Sequence, residues 1–217
     1  MILFLMASLP LFFFFVVLLP WDSELAPRAL TLVDTFLKGV LLYVPGFLVM
    51  LVARRIFGFS YNGILLFLSL LLRDHLVPLL LGMGAFLLAQ KRLDVRGTDE
   101  GIFLAVFSFL AGFLSMANIT DLIAEWGTWD AHALFLLPAL RIATVLLVSL
   151  AAQRFFRWEG KDGAAFCGAG AALAAILSVS SFFFRINRPG WSALFAALPF
   201  AASVALFAMR FPRAVRG

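Results

Sequence analysis

Apolar runs of about twenty residues recur along this chain, separated by short charged segments, and that pattern leaves few folds open. A run of this length matches the hydrocarbon thickness of a bilayer when helical. Backbone polar groups in lipid must be satisfied within the segment, so the runs are expected to be helices. Candidate spans are Ile2–Leu19, Asp34–Ala53, Gly101–Ile119, Ala133–Ala152, Ala164–Phe184 and Trp191–Phe211. Of the 217 residues, 64% are hydrophobic and 13% charged, too apolar for a soluble surface and too charge-poor for disorder. The expected fold is all-α, a polytopic transmembrane helical bundle forming a single integral membrane domain over residues 1–217.

A formal charge of +5 would suit nucleic acid, but most Lys and Arg lie in short segments between apolar runs. Charges placed there set topology, so the expected surroundings are the lipid bilayer and no nucleic acid partner. Cys167 is the single cysteine and sits among small apolar residues, so it reads as a packed hydrophobe. Ile2–Leu19 has no preceding Lys or Arg and no convincing cleavage site, and reads as a retained first span.

The run from Phe57 to Gln90 is too long for one ordinary span, and Arg73-Asp74-His75 stands near its middle. One arrangement is a short re-entrant or thin-membrane helical hairpin added to six full spans, giving about seven or eight hydrophobic helices. With the N-terminus inside, this puts eleven Lys and Arg on the cytoplasmic side against three outside. One long helix gives ten against four, with the N-terminus outside. Asp22, Glu24 and Asp34 after the first span favour the hairpin, with both N- and C-termini cytoplasmic in a cell inner membrane. Pro78 would then open the second arm, where a missing N–H costs little.

That topology draws polar groups toward the outer side: Asp34 and Lys38 at the start of a span, Arg73, Asp74 and His75 at the hairpin tip, and Asn118, Asp121 and Glu125 at a span end. Arg141 lies eight residues into its span, about 12 Å along the helix. An arginine at that depth faces the bundle interior and pairs with an acid or with carbonyls. Asp74, Asp121 and Glu125 are its candidate partners, and a substrate anion is the functional alternative. His75 is a candidate general base, with Asp74 or another acid to orient it. His132 is the other histidine, but the spacing matches no metal motif, and no metal or cofactor is expected. Nucleophile-elbow, metalloprotease, phosphate-loop and paired-cysteine motifs are absent from the sequence.

Small residues recur every four positions at Gly163, Cys167, Ala171 and Ala175, and again at Ala193, Ala197, Ala201 and Ala205. Such stripes let helices approach closely in lipid. The two last spans are expected to pack as a hairpin, with the 163–175 and 193–205 faces as the alternative docking sites for other membrane subunits. Three functions fit these features. The leading one is a small permease, or the substrate-binding membrane subunit of a transporter, with an outward-facing polar pocket. The others are a membrane-embedded enzyme acting on a lipid or lipid-linked substrate at the outer leaflet, and a structural or assembly subunit of a membrane complex.

Overall fold

A computed structural model of the chain describes residues 26–56, 63–89, 99–124, 132–155 and 163–210, and those residues are helical except for one short turn. The helices are α1 (Ala26–Ile56), α2 (Gly63–Ala89), α3 (Asp99–Ala124), α4 (His132–Leu136 continuing as Leu137–Phe155), α5 (Gly163–Arg185) and α6 (Pro189–Arg210). All six are long and apolar enough to cross a membrane. The all-helical membrane fold expected from the sequence is therefore the one observed. Ile2–Leu19 lies outside the described residues.

The hairpin expected between Phe57 and Gln90 is not formed. Gly63–Ala89 is one continuous span. Arg73, Asp74 and His75 occupy a π-helical segment, Leu71–Leu76, inside it. Leu70 before the segment and Val77 after it both keep right-handed helical dihedrals, so the chain never turns back. The Val77 N–H bonds to the Leu72 carbonyl, five residues earlier, which is the wider π ladder. Two features read as hairpin signals have a different cause. Three polar residues in a row can stay in a buried helix because neighbouring helices supply partners. Pro78, which follows the π segment, frees one carbonyl rather than opening a second arm.

Around α2 the bundle is organised by α3, the most deeply enclosed helix. Phe103, Phe107, Phe109 and Phe113 on α3 are fully buried and form the core with Phe86 and Met83 of α2. Phe86 and Phe109 meet edge to face at 5.5 Å. Helix α1 crosses α3 where two glycines face each other's backbones. A Cβ on Gly39 would run into the Phe109 carbonyl, and one on Gly112 into the Phe36 carbonyl. Absent side chains at the crossing allow backbone contact, which favours association where water provides no driving force. Beyond the crossing, the Tyr43 hydroxyl donates to Thr120 Oγ1 at 2.6 Å and its ring packs edge-on against Phe113 at 5.2 Å. The opposite face of α1 carries exposed Leu30, Leu37, Leu41, Val44, Leu48 and Val52, a lipid-facing surface.

Helices α5 and α6 do pack as a hairpin. Their turn has Asn187 in the left-handed region at φ 58°, with Arg188 N–H bonded to the Phe183 carbonyl and Asn187 N–H to the Phe184 carbonyl. This is a Schellman closure followed directly by Pro189. Ser180 donates to the Ser192 carbonyl at 2.8 Å, and Phe183 stacks on Phe195 at 5.3 Å. The alanine stripe contributes little to that contact: Ala193, Ala197, Ala201 and Ala205 are all exposed. The hairpin is joined instead by serines and aromatic rings.

Candidate functional site

Four helices bring ionisable and hydroxyl side chains together near the middle of the bundle. Arg73, Asp74 and His75 come from the π segment of α2, Asn118 and Asp121 from α3, Arg141 from α4 and Ser181 from α5. All seven are buried. Glu125, expected among them, lies outside the described residues.

The guanidinium of Arg141 holds the cluster together. Its Nη1 donates to Asn118 Oδ1 at 2.5 Å, and its Nη2 lies 2.5 Å from Asp121 Oδ2 and donates to the Asp74 carbonyl at 3.3 Å. The last contact falls within the π segment of α2. Pro78 has no N–H, so one carbonyl of the π segment loses its helical donor. Arg141 supplies a donor from another helix. This explains how a proline and a run of three polar residues coexist in one apolar span.

Asp74 is held by its own neighbour. Arg73 Nε donates to one carboxylate oxygen at 2.6 Å and Nη2 to the other at 3.2 Å. This is a two-pronged pair of the kind guanidinium and carboxylate favour. Two arginines and two aspartates thus form two ion pairs, so the cluster balances its formal charge. Charge balance is what permits ionised groups at this depth, since a lone buried charge costs several kcal/mol.

His75 points the other way, to α5, where Nε2 shares a 2.8 Å hydrogen bond with Ser181 Oγ. Asp74, His132 and Arg141 are within its electrostatic reach. His132 begins α4 in a second π-helical segment and packs against the Phe184 ring at 5.6 Å. Both histidines of the chain therefore sit on π segments. Among the described residues, no group of three or more His, Cys, Asp or Glu side chains is placed to hold a metal ion.

Asp74, His75, Pro78, Arg141 and Thr144 line a small cavity of about 10 Å³. That is about the room one water needs, and the polar walls would suit it. An acyl group or an organic anion does not fit in this cavity. Asp34 and Lys38 lie apart from the cluster and pair with each other on α1.

Sequence reading missed Ser181, Thr144 and the Tyr43–Thr120 link. Ser178-Val-Ser-Ser181 is a polar interruption in an apolar span, and all three serines are buried. That interruption was the available signal, hidden by the small-residue pattern around it.

Fold and site together define the class: a polytopic integral membrane protein with a charge-balanced ionisable cluster in its core. Comparison with known protein families, with characterised proteins and with solved structures finds no match.

Proposed function

We propose that the chain is a small proton-coupled permease, or the membrane subunit of a transporter, with the Arg73–Asp74–His75–Arg141 cluster as its ion-coupling site in a closed state. The observation that carries this reading is the water-sized cavity lined by Asp74 and His75 of α2 and Arg141 of α4, with Asp121 of α3 paired to Arg141. Carboxylates and histidines arranged this way inside a membrane are the usual material of proton relays. Two π segments supply the deformable backbone, since such turns recur where helices must move or bind. Arg141 would hold the relay in register through Asn118 and Asp121. A permease of this kind would open its substrate path by separating the helices that now meet at the cluster.

Purified chain in liposomes, with an entrapped pH dye and an imposed potassium-diffusion potential, tests this reading. Proton entry is expected well above that of protein-free vesicles. His75→Gln can keep the bond to Ser181 while removing the group whose free form titrates near neutrality, and should return entry to background. Flux equal to that of empty liposomes, or flux unchanged in His75→Gln, rejects the proposal.

The continuous α2 and the charge bias support an orientation for the proposed permease. The ends near Ala26, Ala89, Asp99, Phe155, Gly163 and Arg210 share one face, and its segments carry ten Lys and Arg. Four, Arg54, Arg55, Arg185 and Arg188, belong to the other face. By the positive-inside rule the first face is cytoplasmic, the C-terminus with it, in a cell inner membrane. Ile2–Leu19, as a further span, would then carry the N-terminus outside, in place of the cytoplasmic N-terminus expected with a hairpin. In a Cys167→Ala background, Arg55→Cys should react with an impermeant thiol reagent from outside and Asp94→Cys only after the membrane is opened. Labelling of both from the same side would contradict a single-span α2.

A second reading, an assembly subunit, is supported by the exposed Ala193–Ala197–Ala201–Ala205 face of α6. A partner helix could approach closely there. If it does, Ala197→Leu should lower the assembly's apparent mass in gentle detergent without changing the chain's own melting. An unchanged mass removes this reading.

A further inference from the structure

Away from the ionisable cluster, α1 and α2 diverge to leave a groove of about 810 Å³, within the size range of small-molecule sites. Leu41, Pro45 and Val49 line one wall and Leu81, Gly84 and Leu88 the other. Its cause is local: Gly84 leaves its wall open, with nothing within 4 Å of where a Cβ would stand. Gly46 packs directly against the Phe113 ring that lines the groove, its Cβ position 3.2 Å from the nearest ring carbon.

One charged residue, Lys38, reaches this groove. It pairs with Asp34, one turn nearer the start of α1, and both side chains stay substantially exposed. Helical side chains lean toward the N-terminus, so the ammonium is directed to the membrane face where α1 begins. Ala89, the last residue of α2, lines the groove and lies toward that same face. A charged pair therefore stands at one end of an otherwise apolar channel, several residues inside an apolar span. Charged groups at such depth call for polar company, and the rest of the channel calls for hydrocarbon.

We infer that this groove binds a zwitterionic glycerophospholipid of the phosphatidylethanolamine kind, headgroup at Asp34 and Lys38, acyl chain between α1 and α2. Charge complementarity selects this occupant. Lys38 faces the phosphate and Asp34 the ammonium, whereas a purely anionic headgroup would meet the Asp34 carboxylate. A neutral diacylglycerol offers no charge to the exposed sides of the paired Lys38 and Asp34. The site is independent of the ionisable cluster and of the permease reading.

The test is native mass spectrometry of the full chain after exchange with vesicles of equal phosphatidylethanolamine, phosphatidylglycerol and diacylglycerol. One phosphatidylethanolamine should be retained per chain in preference to the other two. Gly84→Phe should fill the groove and lower retention about tenfold, equivalent to about 1.4 kcal/mol, with melting unchanged because the position is open. Asp34→Asn should move the preference to phosphatidylglycerol. The inference is overturned by no retained lipid, by equal retention in Gly84→Phe of unchanged melting, by indifference to headgroup, or by a protein segment as the occupant.

Discussion

Arg141→Ala is expected to lower the stability of the chain by about 3–5 kcal/mol, the usual cost of stranding one half of a buried ion pair. A folded domain holds only about 5–15 kcal/mol in total, so little folded protein should survive solubilisation. Three groups would lose the same partner: the Asp121 carboxylate, the Asn118 side-chain oxygen and the Asp74 carbonyl. The double variant Arg141→Met, Asp121→Leu should recover part of the loss, because it removes the stranded carboxylate while Asn118 and the Asp74 carbonyl still lack Arg141. Thermal melting in detergent measures both. If the single variant melts like the parent, the network contributes nothing to the fold.

Gly112→Leu should be comparably damaging for a steric reason. Its Cβ would meet the Phe36 carbonyl, and the Val40 nitrogen stands 3.3 Å away. Neither is the end of a flexible side chain, so α1 must move off α3, and the Tyr43–Thr120 bond goes with it. Overpacking by one or two methylenes costs about 1–3 kcal/mol, which is the expectation for Gly112→Ala, and leucine should exceed it. Gly168→Leu is the control, with nothing within 4 Å of its Cβ position. Folded yield and melting should fall only for the Gly112 variants. Equal loss at both positions would deny the close crossing.

Those two glycines show where the sequence was readable and where it was not. Periodic small residues pointed to the last two spans, yet the α6 stripe faces outward and the tightest backbone contact is made by Gly39 and Gly112. A stripe records what a helix could accommodate. Which helix crosses it depends on the whole packing, and that is not local information. Span positions were legible because hydrocarbon thickness imposes them: five apolar runs named from sequence lie on described helices, with ends displaced by a few residues except at the earlier start of α1.

Arg141 was legible as a buried group for the same reason, and Asp121, Asn118 and Asp74 do surround it. The path of residues 57–90 was misread because a charged triplet and a proline are also what a hairpin tip would carry. The difference lies in partners from α3, α4 and α5, which only the assembled bundle supplies. Ser181 escaped notice because a serine inside an apolar helix can bond its own backbone, as Ser149 does with the Val145 carbonyl.

In the proposed permease the buried charges serve ion movement as well as the fold. Proton flux through the Arg141→Met, Asp121→Leu double variant in liposomes separates the two roles. The double variant is expected to stay folded, melting above Arg141→Ala, and to carry no flux above protein-free vesicles. A double variant that is folded and still carries parental flux would contradict it.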